Sequence, residues 1–190
     1  MCTIKLREKI FPKTEEINKL LYDTEGLYSI SHPDVADKIS QFMKDNIKTD
    51  NIVIFDGTAG LGGNLLSFAK NFKFVYGIEL DNNRFKMLET NVSCYKYNNI
   101  KLLNGNCIDF LDGEYDVYFF DPPWGGPEYK NYSTVDLFLG YHNLLDIVKK
   151  LPKNKHVIFK VPYNYNINLL KDYDLNIKKI NNMLIIYLIS

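Results

Sequence analysis

From about Asn51 onward, apolar strand-like runs alternate with helical patterns, and this alternation constrains the fold more than any other feature of the chain. Strand, helix and strand in succession build a parallel sheet covered by helices on both faces. The expected strands are Asn51–Phe55, Phe74–Leu80, Ile100–Asn104, Asp116–Phe120 and His156–Val161. Between them Phe85, Leu88, Val92 and Tyr95 recur on one helical face, as do Phe138, Tyr141, Leu145 and Val148. The end of the chain breaks the alternation. Tyr173–Ile180 and Met183–Ile189 are β-rich runs separated only by Asn181-Asn182, residues that tolerate the positive φ of a tight hairpin turn. The last pair is therefore expected to be antiparallel.

Two helices are expected ahead of the sheet. One covers Thr14–Tyr22; the other opens near Ser31 and carries Val35, Ile39, Phe42 and Met43 on its apolar side. Residues 1–48 read as a helical extension or lid on the core, and residues 49–190 as the catalytic domain. No internal repeat or low-complexity linker marks a second independent domain.

Formal net charge is zero and the pI is near 6.8. That balance lacks the basic footprint of a protein gripping long nucleic acid through its phosphates, and suits a small or terminal nucleotide target. Cys2, Cys94 and Cys107 have no paired metal-ligand spacing, and His32, His142 and His156 form no HExxH-type cluster, so reduced thiols and no metal are expected. Met1 to Ile10 mixes charged and apolar residues, and no run of about 18 apolar residues occurs anywhere. The expectation is a soluble intracellular monomer that does not engage membranes.

The first strand runs into Asp56-Gly57-Thr58-Ala59-Gly60-Leu61-Gly62-Gly63-Asn64, a glycine-rich strand-to-helix turn. Missing Cβ atoms there let backbone approach a ligand in the crevice beyond the strand's carboxyl end. Glu79 lies 23 residues after Asp56, where nucleotide-binding α/β folds place a carboxylate that accepts ribose hydroxyl protons. The competing reading of Glu79 is a solvated strand end, and Asp81 reads as the N-cap of the next helix. The loop is neither the GxGxxG of dinucleotide enzymes nor GxxxxGK[ST], which leaves S-adenosyl-L-methionine, with S-adenosyl-L-homocysteine as product, as the best-fitting ligand. On that reading Asp56, Gly57, Thr58, Gly60, Gly63 and Asn64 hold its methionine end. Asn106 and Cys107, in the turn after the third strand, meet the adenine edge, where an amide can donate and accept.

The fourth strand leads into Asp121-Pro122-Pro123-Trp124-Gly125-Gly126-Pro127-Glu128-Tyr129. Two prolines hold φ at about −65° and force an extended backbone, so Asp121 and the neighbouring carbonyls are presented rigidly. An aromatic amine is a poor nucleophile, because its lone pair is delocalised into the ring. Acceptors aimed at both N–H bonds favour the pyramidal geometry needed for methyl transfer and accommodate the positive charge developing on nitrogen. Asp121 and the Pro122 carbonyl are the candidates, with Asp121 also bordering the cofactor. Trp124, beside Pro123, offers a flat face to a base, and such stacking is worth about 1–3 kcal/mol per base. The alternative for Trp124 is a place in the core.

Pro122 to Tyr129 as PPWGGPxY, Asp56 to Asn64 as DxFxGxGGN, and Asp23 to Ser29 as DxEGWFS together resemble the trimethylguanosine synthase family of RNA cap guanine-N2 methyltransferases. The resemblance runs from about residue 21 to the C-terminus. It implies a class I methyltransferase fold: an α/β, Rossmann-like, mostly parallel seven-stranded sheet with helices on both faces and a C-terminal antiparallel hairpin. It also implies methyl transfer from S-adenosylmethionine to the exocyclic N2 of N7-methylguanosine, on capped RNA or a cap nucleotide. Trp124 is then the stacking residue, Asp121 and Pro122 lie near the amine, and Asp56 and Glu79 lie on the cofactor. Leu27 stands where the family has tryptophan, which turns attention to Tyr28 and nearby Ser31. The family's FLPRN resembles Phe159-Lys160-Val161-Pro162-Tyr163-Asn164, with Tyr163 where arginine is usual and Asn164 kept. Lys160, or the cluster of Lys5, Arg7, Lys9 and Lys13, is the candidate for the phosphates. Other amine targets that [DNS]PP[WYF] serves, namely adenine, cytosine and rRNA guanine, stay open, as does a non-catalytic cap-binding or cofactor-binding module.

Overall fold

The computed structural model describes residues 2–190, with side chains described from Ile4 onward. Three helices precede the sheet: α1 (Cys2–Ile10), α2 (Thr24–Ser29) and α3 (Pro33–Ile47). Then follow β1 (Val53–Asp56), α4 (Gly63–Asn71), β2 (Phe74–Glu79), α5 (Asn82–Ser93), β3 (Ile100–Asn104) and β4 (Val117–Phe120). A short hairpin, β5 (Phe138–Leu139) and β6 (His142–Asn143), leads into α6 (Leu144–Lys150), and β7 (His156–Pro162), β8 (Asn176–Ile180) and β9 (Met183–Ile189) finish the chain.

Seven strands form one sheet in the order β3-β2-β1-β4-β7-β9-β8. The first five are parallel, β9 pairs antiparallel with β7, and β8 pairs antiparallel with β9. The expected α/β sheet with its terminal hairpin is thus what the chain forms, and Asn181 takes the positive φ of the turn, 53°. Alternation along the strands divides the core in two, because successive side chains point to opposite faces. Phe55, Tyr118, Phe120 and Phe159 pack against Leu144, Ile147 and Val148 of α6. Their neighbours Ile54, Val117, Phe119 and Ile158 pack on the other side, against Val35, Ile39, Phe42, Leu65 and Phe68 of α3 and α4.

Two expected helices are corrected. Thr14–Tyr22 holds only a single 3-10 turn, Ile17–Lys19, whereas Cys2–Ile10 is helical. Tertiary ties hold the segment open: the Thr14 hydroxyl donates to the Cys94 carbonyl (2.7 Å), and Leu21 exchanges two hydrogen bonds with the buried Asn91 side chain. The helical face of Phe138, Tyr141, Leu145 and Val148 is also broken, since Phe138 lies in the β5–β6 hairpin and Tyr141 in its turn, 99% exposed. Gly140, with φ 60°, makes that turn. Elsewhere α3 opens on His32 with Pro33 at its start, and Asp81 caps α5 through the Arg84 amide (2.8 Å). No helix among the described residues is long and apolar enough to cross a membrane.

Candidate active site

In the parallel part of the sheet the chain winds outward from β1 in both directions, so the carboxyl ends of β1 and β4 meet at the point where strand order reverses, the usual place for a ligand crevice. The Gly57 amide donates to the Phe119 carbonyl (2.9 Å), and the Asp121 amide donates to the Thr58 hydroxyl (2.7 Å). The glycine loop and the Asp-Pro-Pro-Trp turn are therefore joined directly. A Cβ on Gly57 would stand 2.6 Å from the Phe120 ring, so only glycine allows this approach. At the head of α4, a Cβ on Gly63 would stand 2.6 Å from the Ser31 carbonyl, which locks the preface, the segment from Asp23 to Ser31 ahead of the sheet, against the loop.

A cleft of about 560 Å³ opens there, within the usual size of a small-molecule site. Of the residues expected on the cofactor, Gly57, Thr58, Gly60, Gly63 and Asn64 line it from the loop, Glu79, Asn106 and Cys107 from the ends of the next two strands, and Asp121 from β4. Ser31 and Pro123 line it as well. Glu79 is not a solvated strand end: it is 8% exposed, and its two oxygens accept the Gly60 and Asp81 amides at 2.9 and 2.8 Å. Each oxygen keeps a further lone pair for a hydroxyl. Asn106 accepts from the Ile108 amide (3.1 Å), which leaves its NH₂ as a donor. Burial pushes the Cys107 thiol up to about 12, so this side chain is a neutral wall.

Asp56 lies behind the cleft surface and is fully buried. One oxygen accepts the Thr58 amide (3.2 Å); the other is buried without a partner, as are Ser31 Oγ and Asn64 Oδ1. Buried polar atoms are normally paired, so three unpartnered ones beside one loop mark a place built for a polar ligand. Burial, together with the charges of Asp121 and Glu79, pushes the Asp56 carboxyl up to about 8 against the pull of the Thr58 amide. Without ligand, the proton is held more tightly in the folded than in the unfolded chain. The stabilisation from this group is complete below about pH 4 and is lost as pH rises toward 8. Asp56→Asn should flatten this decline, by up to about 1.4 kcal/mol per pH unit. Urea unfolding of the ligand-free protein at pH 5 and pH 7 checks it, and an equally steep decline in the variant would refute the assignment.

The remaining expected residues separate. Pro122 is buried and Trp124 half-buried; the indole meets Tyr129 edge-on at 5.3 Å, and its N–H is buried without a hydrogen-bond partner. Lys160, expected toward the phosphates, is instead buried at 4% exposure and donates to Asp121 Oδ2 at 2.5 Å. Burial raises the Asp121 carboxyl above its ordinary value, and the Lys160 ammonium with the nearby indole N–H pulls it back. Asn164 donates to the Tyr129 and Tyr132 carbonyls (2.9 and 2.8 Å) and so braces the loop after Trp124. Tyr28 is 84% exposed and off the cleft lining, while Leu27 packs inward toward the Leu61 cluster. Lys9 is exposed on α1 and does not line the cleft, and Arg7 is used internally, donating to the Leu20 carbonyl (2.6 Å).

Sequence reasoning missed two parts of the site. Arg84 on α5 bridges Asp23 and Glu25 of the preface at 3.1 and 2.9 Å, holding α2 over the cleft. Its signal was the pair of acids inside the preface motif. Phe138, Leu139 and Gly140 of the β5–β6 hairpin also line the cleft, and a glycine between two β-prone pairs was the cue.

The sequence model of RNA cap guanine-N2 methyltransferases matches residues 50–189. A protein of Acanthamoeba polyphaga mimivirus is 33% identical over 215 residues, covering 95% of this chain and 84% of its own. The trimethylguanosine synthases of Saccharomyces cerevisiae and Schizosaccharomyces pombe are 28% and 30% identical over 179 and 142 residues, covering 87% and 69% of this chain. The aligned part is 55% and 57% of those two enzymes, so the chain spans little more than half their length. Among solved structures, the Thermus thermophilus 16S rRNA N2 methyltransferase RsmC, in complex with AdoMet and guanosine, superposes with a TM-score of 0.65 at 14% identity, over 90% of this chain and 44% of that one. Precorrin-6y C5,15-methyltransferase of Geobacter metallireducens superposes at 0.64 and 12%, over 91% and 94%. At such identities the shared property is the class I methyltransferase fold. The family match covers the glycine loop, Glu79, the Asp-Pro-Pro-Trp turn and both hairpin strands, and on it the chain belongs to the RNA cap guanine-N2 methyltransferase family.

Proposed function

We propose that the protein transfers a methyl group from S-adenosylmethionine to the exocyclic N2 of N7-methylguanosine in an RNA 5′ cap. The observation that carries this reading is the junction of the glycine loop with the Asp-Pro-Pro-Trp turn, where Thr58 accepts the Asp121 amide and donor and acceptor sites share one wall. When bound, S-adenosylmethionine supplies an electrophilic sulfonium methyl. The residues present fit it: Asn64 Oδ1 and Ser31 Oγ are unpartnered on the cleft wall, with Asp56 Oδ2 unpartnered just behind it, toward an ammonium and carboxylate, Glu79 toward the ribose, and Asn106 with Cys107 toward adenine.

Asp121 has Oδ2 on Lys160 and keeps Oδ1 as an acceptor, and the Pro122 carbonyl is the second acceptor. Together they hold the amine by its N–H bonds, with its lone pair turned toward the methyl, and they stabilise the charge that grows on nitrogen. The amine proton leaves after transfer, so no strong base is required. Trp124 supplies the stacking surface, and a cationic base gains a further 0.5–2 kcal/mol or so there when desolvated. The test is to incubate the purified chain with labelled S-adenosylmethionine and either N7-methyl-GTP or GTP, and to weigh the products. Labelling of the N7-methylated nucleotide in clear excess is expected; equal labelling of the two, or none, would overturn the cap assignment.

A further inference from the structure

Lys160 is a charged side chain within the apolar run from Val157 to Pro162 of β7, placed between Phe159 and Val161, both of which are fully buried. Its ammonium reaches Asp121 Oδ2 at 2.5 Å and stands 5.1 Å from the centroid of the Trp124 ring. Its ammonium has no other hydrogen-bond partner among the described residues. A buried ammonium is costly unless paired, so its entire compensation comes from the two side chains assigned above to the base.

We propose that Lys160 is a positioning and specificity-determining residue of the base pocket. It takes one oxygen of Asp121 and one face of Trp124, offers the base a single acceptor and a single stacking face, and cancels the charge that would favour a cationic base. This rests on the reading of Trp124 as the base platform. An N7-methylated guanine is cationic and an unmodified guanine is neutral, so an adjacent charge acts on the first far more than on the second. An ammonium over one face of the indole draws on the same ring quadrupole that a cationic base would use on the other. An ammonium on Asp121 also cancels the attraction between the carboxylate and that base, an attraction strong in a partly buried setting. Lys160 thus moderates the preference for N7-methylated guanine while it orients Asp121 for the amine.

Trp124 is the only tryptophan in the sequence, so its intrinsic fluorescence reports nucleotide binding without turnover. The parent, Lys160→Met, Lys160→Arg and the double variant Lys160→Met with Asp121→Asn are titrated with N7-methyl-GTP and with GTP. Lys160→Met should raise the preference for N7-methyl-GTP at least tenfold over the parent. Lys160→Arg keeps the charge and should stay near the parent ratio. The double variant, with the second face of Trp124 free but no bare carboxylate, should rise about threefold. It carries no unpaired buried charge and decides the matter if Lys160→Met does not fold. A ratio unchanged or lowered in every folded variant lacking Lys160 overturns the proposal while leaving the cap reading intact. If neither nucleotide alters the fluorescence of any of the four proteins, the cap reading itself fails, and this inference falls with it.

Discussion

Asp121→Asn is expected to lower kcat for guanine methylation by about 10²–10³-fold, the usual cost of removing one preorganised group that faces developing charge. The amide keeps the shape of the side chain, but half of it donates where the reaction needs acceptors. Cofactor affinity should change far less, because the residues proposed for the cofactor are mainly the glycine loop, Glu79 and the Asn106 turn, which line the cleft beside Asp121. Asp121→Ala carries a second penalty. It leaves the Lys160 ammonium buried without its carboxylate, and stability should fall by about 3–5 kcal/mol. Single-turnover rates together with thermal unfolding separate the two effects. An unchanged kcat in Asp121→Asn would remove Asp121 from the amine, whatever happens to stability.

Trp124→Ala should reduce kcat/KM for an N7-methylated guanine nucleotide by about 10- to 10³-fold. The lost stacking accounts for roughly 1–3 kcal/mol, and the lost attraction of a cationic base for roughly 0.5–2 kcal/mol. S-adenosylhomocysteine binding should persist, since Trp124 does not line the cofactor cleft. If the indole were a core side chain alone, its removal would cost about 3–5 kcal/mol of stability while the surviving folded enzyme kept its specificity. The structure places Trp124 between these extremes: it is half-buried and packed on Tyr129, yet its N–H has no partner. Measuring kcat/KM on both nucleotides beside the melting temperature discriminates, because loss of a base platform changes the ratio between nucleotides whereas loss of core packing alone does not.

Much of the scaffold was legible because strands buried on both faces leave apolar runs of definite length. Ile100–Asn104 and Met183–Ile189 coincide with observed strands, and the other expected strands differ only at their ends. Position after a strand was equally informative: the glycine loop, Glu79 and Asp121 all fall at carboxyl ends, and the topology brings those ends to one crevice. Periodicity failed where short elements border the site. Phe138 and Tyr141 match a helical spacing with Leu145 and Val148, but two residues on each side of Gly140 suffice for a hairpin, and Asn143 starts the helix anew with a capping box.

The sequence by itself determined the sheet, the order of its strands along the chain, and the two loops that border the cleft, because hydrophobic period and turn residues are local properties. Only the tertiary structure decided what those loops meet. That Lys160 meets Asp121 and Trp124 depends on the β4–β7 pairing and on a side chain with no local signature. That Asp56 is fully buried, with its carboxyl pushed up to about 8, depends on packing and on the approach of Asp121 and Glu79, charges brought together from the ends of separate strands. Charge environment is a property of packing, and packing joins residues far apart in the chain.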